Sequence, residues 1–283
     1  MRIIKKIAAM KEVVNSLKLE GKTIGLVPTM GYLHQGHLSL VRESLYQAEQ
    51  TVVSIFVNPA QFGPAEDYQQ YPRDLKRDAK ILEKEGVDFI FAPEVKEMYP
   101  EGYKTYVQVE KLQDRLCGRS RPGHFRGVCT VVLKLFNIVK PDLAFFGQKD
   151  AQQAVILKKM VRDLDLDVRI KVLPIVRDKD GLALSSRNTY LNPDQRRAAL
   201  SISRSLKMAE EMIKKGERKA GKIIKRIKEI IEEEPQARLD YAAIVELEEL
   251  NPVTEINQDV LIALAVFIDR VRLIDNTIIR FKG

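Results

Sequence analysis

Apolar positions along the first two-thirds of the chain switch repeatedly between two kinds of segment. Ile7, Met10, Val13, Val14 and Leu17 recur at helical spacing and predict a helix that Gly21 stops. A short apolar strand follows, Thr23 to Val27, and then Pro28. A second helical stretch, about Leu38 to Ala48, leads into a strand from Thr51 to Val57. A third, Asp74 to Glu85, ends at Gly86 and precedes the strand Asp88 to Ala92. A helix around Thr130 to Val139, a strand from Leu143 to Phe146, a helix from Ala151 to Leu164 and a strand from Val168 to Leu173 continue the alternation. Nearly continuous apolar strands separated by helices predict an α/β fold, a Rossmann-like doubly wound parallel sheet covered on both faces. Ligands of such sheets sit beyond the carboxyl ends of the strands.

After Val176 the texture changes. Residues 193–234 read as two charged amphipathic helices divided near Gly216 to Gly221, and Leu239–Leu247 and Val260–Leu273 read as strands of a small antiparallel sheet. The expected division is therefore a larger domain over residues 1–176 and a smaller α+β domain over 177–283. The acidic run Glu232 to Glu234 and the segment Arg119 to Arg121 are short enough to be solvated surface.

Composition narrows the class. The 283 residues are 45% hydrophobic and 30% charged, an ordinary globular balance with material for a substantial core. The net charge of +8 suits anionic partners without naming one. Only Cys117 and Cys129 occur, so neither a disulfide framework nor a CxxC metal site is on offer. The amino-terminal segment lacks the apolar stretch of a cleavable signal, and no apolar run is long enough to span a membrane. A soluble, cytoplasmic protein is expected. An RNA-binding module is disfavoured, because the basic residues are dispersed and aromatic residues total 7% with no Trp.

The densest chemical signal is Pro28-Thr-Met-Gly-Tyr-Leu-His34-Gln-Gly36-His37, which follows the first strand and opens a helix. Gly31 and Gly36 would let backbone approach a phosphate, and the helix N-terminus would offer unpaired N–H groups with partial positive charge. His34 and His37, three apart, share one face of the turn and suit a phosphate chain. As zinc ligands they lack a third partner: the remaining histidine is His124, and neither cysteine is near in sequence. The spacing of Gly31 and Gly36 is that of a P-loop, but His37 and Leu38 stand where Lys and Ser/Thr are required. Gly216-x4-Gly221-Lys222 fails in the same way, with Ile223 replacing the hydroxyl residue.

Three further clusters suit the same anion and its partner. Gly147-Gln148-Lys149-Asp150 follows a strand and puts a lysine beside a helix N-terminus, where Asp150 also reads as a helix cap. Leu184-Ser185-Ser186-Arg187-Asn188 supplies two hydroxyls and a guanidinium suited to β- and γ-phosphates. Asn58 and Gln61 leave a strand end with two carboxamides, which hydrogen-bond hydroxyls and carboxylates without adding charge and so suit a small polar substrate.

Together these motifs resemble those of the pantoate–β-alanine ligases (pantothenate synthetases), within the nucleotidyl transferases that carry HIGH-type signatures. The resemblance rests on PTMGYLHQGHLSLV, VVSIFVNPAQFGPAEDYQQYPR, GHFRGVCTVVLKLFNIVKPDLAFFGQKDAQQ and DGLALSSRNTYL, in that order. Gln35 sits where the family often has Glu, and Leu184 where it often has Met. The resemblance implies that (R)-pantoate attacks the α-phosphorus of ATP to give pantoyl adenylate and pyrophosphate. The amine of β-alanine then displaces AMP, giving pantothenate. It also implies roles. Met30, Gly31, Tyr32, Leu33, His34, Gln35, Gly36 and His37 would bind ATP, with His34 and His37 on the phosphates and His37 donating a proton. Gly147, Gln148, Lys149 and Asp150 would bind nucleotide, Lys149 at the phosphates and Asp150 at the ribose. Val176 would meet adenine, and Leu184, Ser185, Ser186 and Arg187 would close over the phosphates. Gln61, Gln153 and Asn58 would form the substrate-binding set, Gln61 and Gln153 holding the hydroxyls and carboxylate of pantoate and Gln61 later helping to seat β-alanine. Mg²⁺ is expected with ATP, with no protein ligand assigned. Residues 64–71 are expected to gate the site, residues 177–283 to act as a lid, and the enzyme to be a homodimer. A related transferase acting on a phosphate acceptor is the alternative, and it would favour additional Arg or Lys near Asn58, Gln61 and Gln153.

Overall fold

The computed structural model describes residues 1–64 and 66–281. Its strands are β1 (Arg2–Ile4), β2 (Ile24–Thr29), β3 (Gln50–Ile55), β4 (Phe89–Phe91), β5 (Leu143–Gly147), β6 (Arg169–Leu173), β7 (Ala237–Glu246), β8 (Val260–Ile268) and β9 (Val271–Ile279). Its helices are α1 (Ile7–Leu19), α2 (Gln35–Gln47), α3 (Leu75–Glu85), α4 (Val95–Met98), α5 (Cys117–Ser120), α6 (His124–Val139), α7 (Ala151–Asp163), α8 (Pro193–Lys214) and α9 (Ala220–Glu232). Short 3₁₀ turns cover Pro59–Gln61, Gln148–Asp150 and Ser186–Tyr190. The chain divides into two compact units. One comprises Met1–Gln113, Arg121–Gly147 and Ile156–Pro174; the other comprises Asp114–Ser120, Gln148–Val155 and Ile175–Gly283.

The first unit carries a parallel sheet in the order β1-β4-β3-β2-β5-β6. This is the α/β, doubly wound architecture expected from the alternation of apolar strands and helices. Buried Val27, Val53, Ile90 and Phe145 from the sheet pack with Leu38 and Val41 of α2 and Leu82 of α3. Strand order reverses between β2 and β5, where doubly wound sheets bind ligands at their carboxyl ends. The strand β2 runs two residues further than its apolar run, through Pro28 to Thr29. Its pairing with β5 ends at Leu26, whereas that with β3 continues to Thr29. Pro28 therefore lies where the strand is paired on one side only, a position a residue without an N–H tolerates.

In the second unit β7, β8 and β9 form an antiparallel sheet. Ile262, Leu264 and Val266 of β8 pack against Ile202 and Leu206 of α8 and Ile223 and Ile227 of α9. The segment expected as one strand, Val260 to Leu273, is instead two strands joined at Asp269 and Arg270, with Asp269 at φ +48°. An aspartate tolerates this left-handed corner, but without a glycine the turn is not conspicuous in the sequence. Two helices also begin earlier than their apolar periods, α2 at Gln35 and α6 at His124. The glycines and polar side chains of those first turns interrupt the pattern. The strand β1 precedes the first expected helix and has no counterpart among the expected strands; three residues are too few to display an alternation. No helix among the described residues is long and apolar enough to cross a membrane.

Candidate active site

The turn after β2 is built around two imidazoles. His34 is the N-cap of α2, and its Nδ1 accepts the backbone N–H of Gly36 at 3.1 Å. The N–H of His34 points in turn to Nδ1 of His37 at 3.4 Å, a capping box made of histidines. A backbone N–H can only donate, so each neutral ring carries its proton on Nε2. The rings lie 4.0 Å apart between centroids. One expectation changes here. The N–H of Gly36 is bonded to His34 Nδ1 and that of His37 to the His34 carbonyl at 2.8 Å, so these amides are engaged within the cap.

The turn itself is held by a residue that motif reading did not single out. Asp78 of α3, fully buried, accepts the N–H of Tyr32 at 2.7 Å and that of Leu33 at 2.9 Å, and the Arg77 guanidinium reaches it at 3.0 Å. Burial raises the Asp78 pKa against the lowering effect of these donors. Gly31 has φ +85°, and a Cβ there would stand 3.0 Å from Ile55 and 3.1 Å from Asp78, so conformation and space both call for glycine. The signal was available: Asp78 lies in the apolar stripe of its helix, between Leu75 and Leu82.

Next to it in the same unit lie Asn58 and Gln61. Asn58 is buried, and its Oδ1 accepts the N–H of Ala60 at 3.3 Å and the hydroxyl of Tyr99 at 2.8 Å. Its Nδ2 donates to the Gly127 carbonyl at 3.1 Å and to Gln61 Oε1 at 3.0 Å. The two backbone groups fix which way this amide faces, and Asn58 in turn fixes Gln61, whose Nε2 points to Met30 Sδ at 3.3 Å. All four hydrogen-bonding positions of Asn58 are thus taken within the chain. Burial raises the pKa of Tyr99, the main influence on a hydroxyl that Tyr103 and Tyr106 also surround, so it stays a donor to Asn58. Gly127 packs α6 directly onto this turn: a Cβ would lie 2.1 Å from the Ala60 carbonyl oxygen.

The expected gate, residues 64–71, includes Ala65, which lies outside the described residues. Around it, Phe62 meets Tyr68 and Tyr71 edge-on, and Arg73 donates to the carbonyls of Tyr68 and Tyr71.

In the second unit, Gln148, Lys149 and Asp150 form the 3₁₀ turn ahead of α7, with the Lys149 ammonium 3.9 Å from the Asp150 carboxylate. Asn276 of β9, also unforeseen, grips this turn: its Nδ2 donates to the carbonyls of Gln148 at 2.9 Å and Lys149 at 3.0 Å. Its neighbour Asp275 pairs through both oxygens with Arg177. Val176 and Leu184 come together through a backbone hydrogen bond of 3.0 Å, and Ser185 caps the 3₁₀ turn of Ser186 and Arg187. Gln153 is half-buried in the first turn of α7.

Residues 2–278 match the family model for pantoate-beta-alanine ligase. Pantothenate synthetase of Caldicellulosiruptor saccharolyticus is 57% identical over 279 residues, covering 99% of each chain. A crystal structure of pantothenate synthetase from Thermus thermophilus superposes with a TM-score of 0.94 at 45% identity, covering 98% of this chain and 99% of that one. The pantoate-beta-alanine ligase from Francisella tularensis, crystallised with beta-gamma ATP and beta-alanine, gives 0.80 at 36% identity, covering 98% of this chain and 97% of that one. Sequence and fold agree with these enzymes over nearly the whole length, and the chain belongs to the pantoate–β-alanine ligase family.

Proposed function

We propose that this chain condenses (R)-pantoate with β-alanine through a pantoyl adenylate, using ATP and releasing AMP and pyrophosphate. A carboxylate is a poor electrophile because its leaving group would be oxide, and adenylation supplies a better one. In the first step a pantoate carboxylate oxygen bonds to the α-phosphorus while the bond to the β-phosphate oxygen breaks. In the second, the β-alanine amine bonds to the acyl carbon and AMP departs. Most of the protein's work in such a sequence is positioning and charge stabilisation.

The observation that carries the reading is the histidine cap after β2, with both ring protons on Nε2. Neutral imidazoles that donate stabilise charge on phosphorus and on departing pyrophosphate, and His37 is the proton donor to that leaving group. Met30 to His37 bind ATP together with Gly147 to Asp150, Val176 and Leu184 to Arg187. Lys149 neutralises phosphate charge, and Asp150 meets the ribose. Gln61 and Gln153 hold the hydroxyls and carboxylate of pantoate, and Gln61 later helps to seat β-alanine. Asn58 serves the acid by holding Gln61. The reading includes a nucleotide- and acid-binding domain over residues 1–176, a lid over 177–283, a gate at 64–71 and a cytoplasmic homodimer. Mg²⁺ enters with ATP as part of the substrate. Among the described residues no group of three or more His, Cys, Asp or Glu is placed to hold a metal ion.

The deciding experiment is pyrophosphate release from ATP, with and without pantoate and in the absence of β-alanine. Release that requires pantoate and yields the acyl adenylate supports the reading. Release driven instead by a phosphorylated acceptor would overturn it.

A further inference from the structure

The motif Gly123-His-Phe-Arg-Gly127 contains the histidine that the proposed reaction leaves unused. His124 opens α6, and its Nδ1 lies 2.7 Å from the backbone carbonyl of Gln61. Its Nε2 faces Nη1 of Arg121 at 3.0 Å. A guanidinium only donates, so Nε2 is the acceptor and the ring proton sits on Nδ1, where it donates to the Gln61 carbonyl. Arg121 Nη2 approaches the same carbonyl at 3.4 Å. That guanidinium is itself oriented by Glu66, with Nε to Oε1 at 2.8 Å and Nη2 to Oε2 at 2.5 Å. Both partners of this pair are largely shielded, with side-chain exposures of 14% and 23%.

Gln61 is therefore held at both ends. Asn58 sets its carboxamide, and the chain Glu66–Arg121–His124 sets its backbone. From this we infer that His124 and Arg121 are positioning residues for the acid-binding step. Arg121 selects the Nδ1-protonated tautomer of His124, and His124 locks the Gln61 backbone so that its carboxamide meets the carboxylic acid substrate at a fixed angle. The inference rests on the reading that Gln61 holds pantoate. It predicts an effect on acid binding with no contact between His124 and substrate.

The test is steady-state kinetics of full-length variants with pantoate and ATP varied separately. His124→Ala is expected to raise the pantoate KM by about 5- to 20-fold, the scale of one lost hydrogen bond that orders a contact, with the ATP KM changed less than about twofold. Asparagine presents an N–H where Nδ1 stood and glutamine presents one where Nε2 stood. His124→Asn should therefore recover pantoate use and His124→Gln should not. On a Gln61→Ala background, His124→Ala should add less than about twofold, because the two act as one unit. A parental pantoate KM in His124→Ala, or effects that multiply fully with Gln61→Ala, would overturn the inference. If His124→Ala does not fold, the Asn and Gln pair decides: equal behaviour of the two overturns it. An unchanged pantoate KM in Gln61→Ala alone would instead sink the underlying acid-binding reading, so the two failures are distinguishable.

Discussion

The carboxylate of Asp78 accepts the backbone N–H of Tyr32 at 2.7 Å, across 46 residues of sequence. With the matching bond to Leu33, it ties α3 to the turn that ends in the two histidines. Asp78→Asn keeps the shape but turns an N–H₂ toward one of these N–H donors, so about 2–4 kcal/mol of stability should be lost, measured by urea denaturation. The pH dependence has a definite sign. Burial raises this carboxyl above the ordinary aspartate value, so its contribution is fullest below that value and declines as pH rises through the raised one. The gap between parent and Asp78→Asn should accordingly be wider near pH ~4.5 than near pH ~7. An equal gap at both would contradict the burial argument.

His37 has two jobs that substitution can separate. Its Nδ1 accepts the N–H of His34 and belongs to the helix cap, whereas its Nε2–H is the group assigned to phosphate. His37→Ala should lose both, with kcat for pyrophosphate release falling at least ~10²-fold and stability falling by about 1 kcal/mol. His37→Asn offers an amide oxygen near the position of Nδ1 and nothing at Nε2, so it should regain stability and not rate. Lys149→Ala should show a rate loss of similar size, roughly 10²-fold or more, by removing positive charge from the phosphates. Near-parental kcat in folded His37→Ala and Lys149→Ala would refute both assignments.

How far these roles were legible depended on how local their causes are. A strand, a glycine-bearing turn and a helix in immediate succession mark the His34–His37 site, and the apolar strands of the parallel sheet announce themselves as runs. Asp78 was visible in principle as an acid inside an apolar stripe, but the N–H groups it serves lie 45 and 46 residues away. Gly127 and His124 were hidden because the glycine and the polar residues of that first turn broke the period from which α6 was read. Asn276 was hidden because the Asp269–Arg270 corner carries no glycine, which let two strands read as one.

Gly127→Ala tests how tightly α6 must approach the carboxamide turn. The added methyl carbon would stand 2.1 Å from the Ala60 oxygen and 2.6 Å from the Gln61 nitrogen, both backbone atoms that move only with the turn. Overpacking of this kind should cost about 1–3 kcal/mol, seen as a lowered Tm. Because the displaced atoms belong to Gln61, the pantoate KM should rise while the ATP KM stays near its parental value. A variant with a parental Tm would show that the turn can yield without strain.

Asn276→Ala addresses the lysine turn from a distance. One carboxamide holds two consecutive carbonyls, those of Gln148 and Lys149, and its Oδ1 receives the Gln148 side chain at 3.2 Å. Removing it leaves two part-buried acceptors without that donor and frees the backbone that aims Lys149. The expected result is a kcat for adenylate formation lower by roughly 10-fold or more, since a small displacement of a catalytic group costs rate steeply. Pantoate KM should be nearly unchanged. Asn276→Asp keeps the size yet removes both donors and sets a carboxylate against two carbonyl oxygens, so it should be worse than alanine in both rate and Tm. Were Asn276→Asp as active as the parent, the Lys149 turn would have to be held by something other than this side chain.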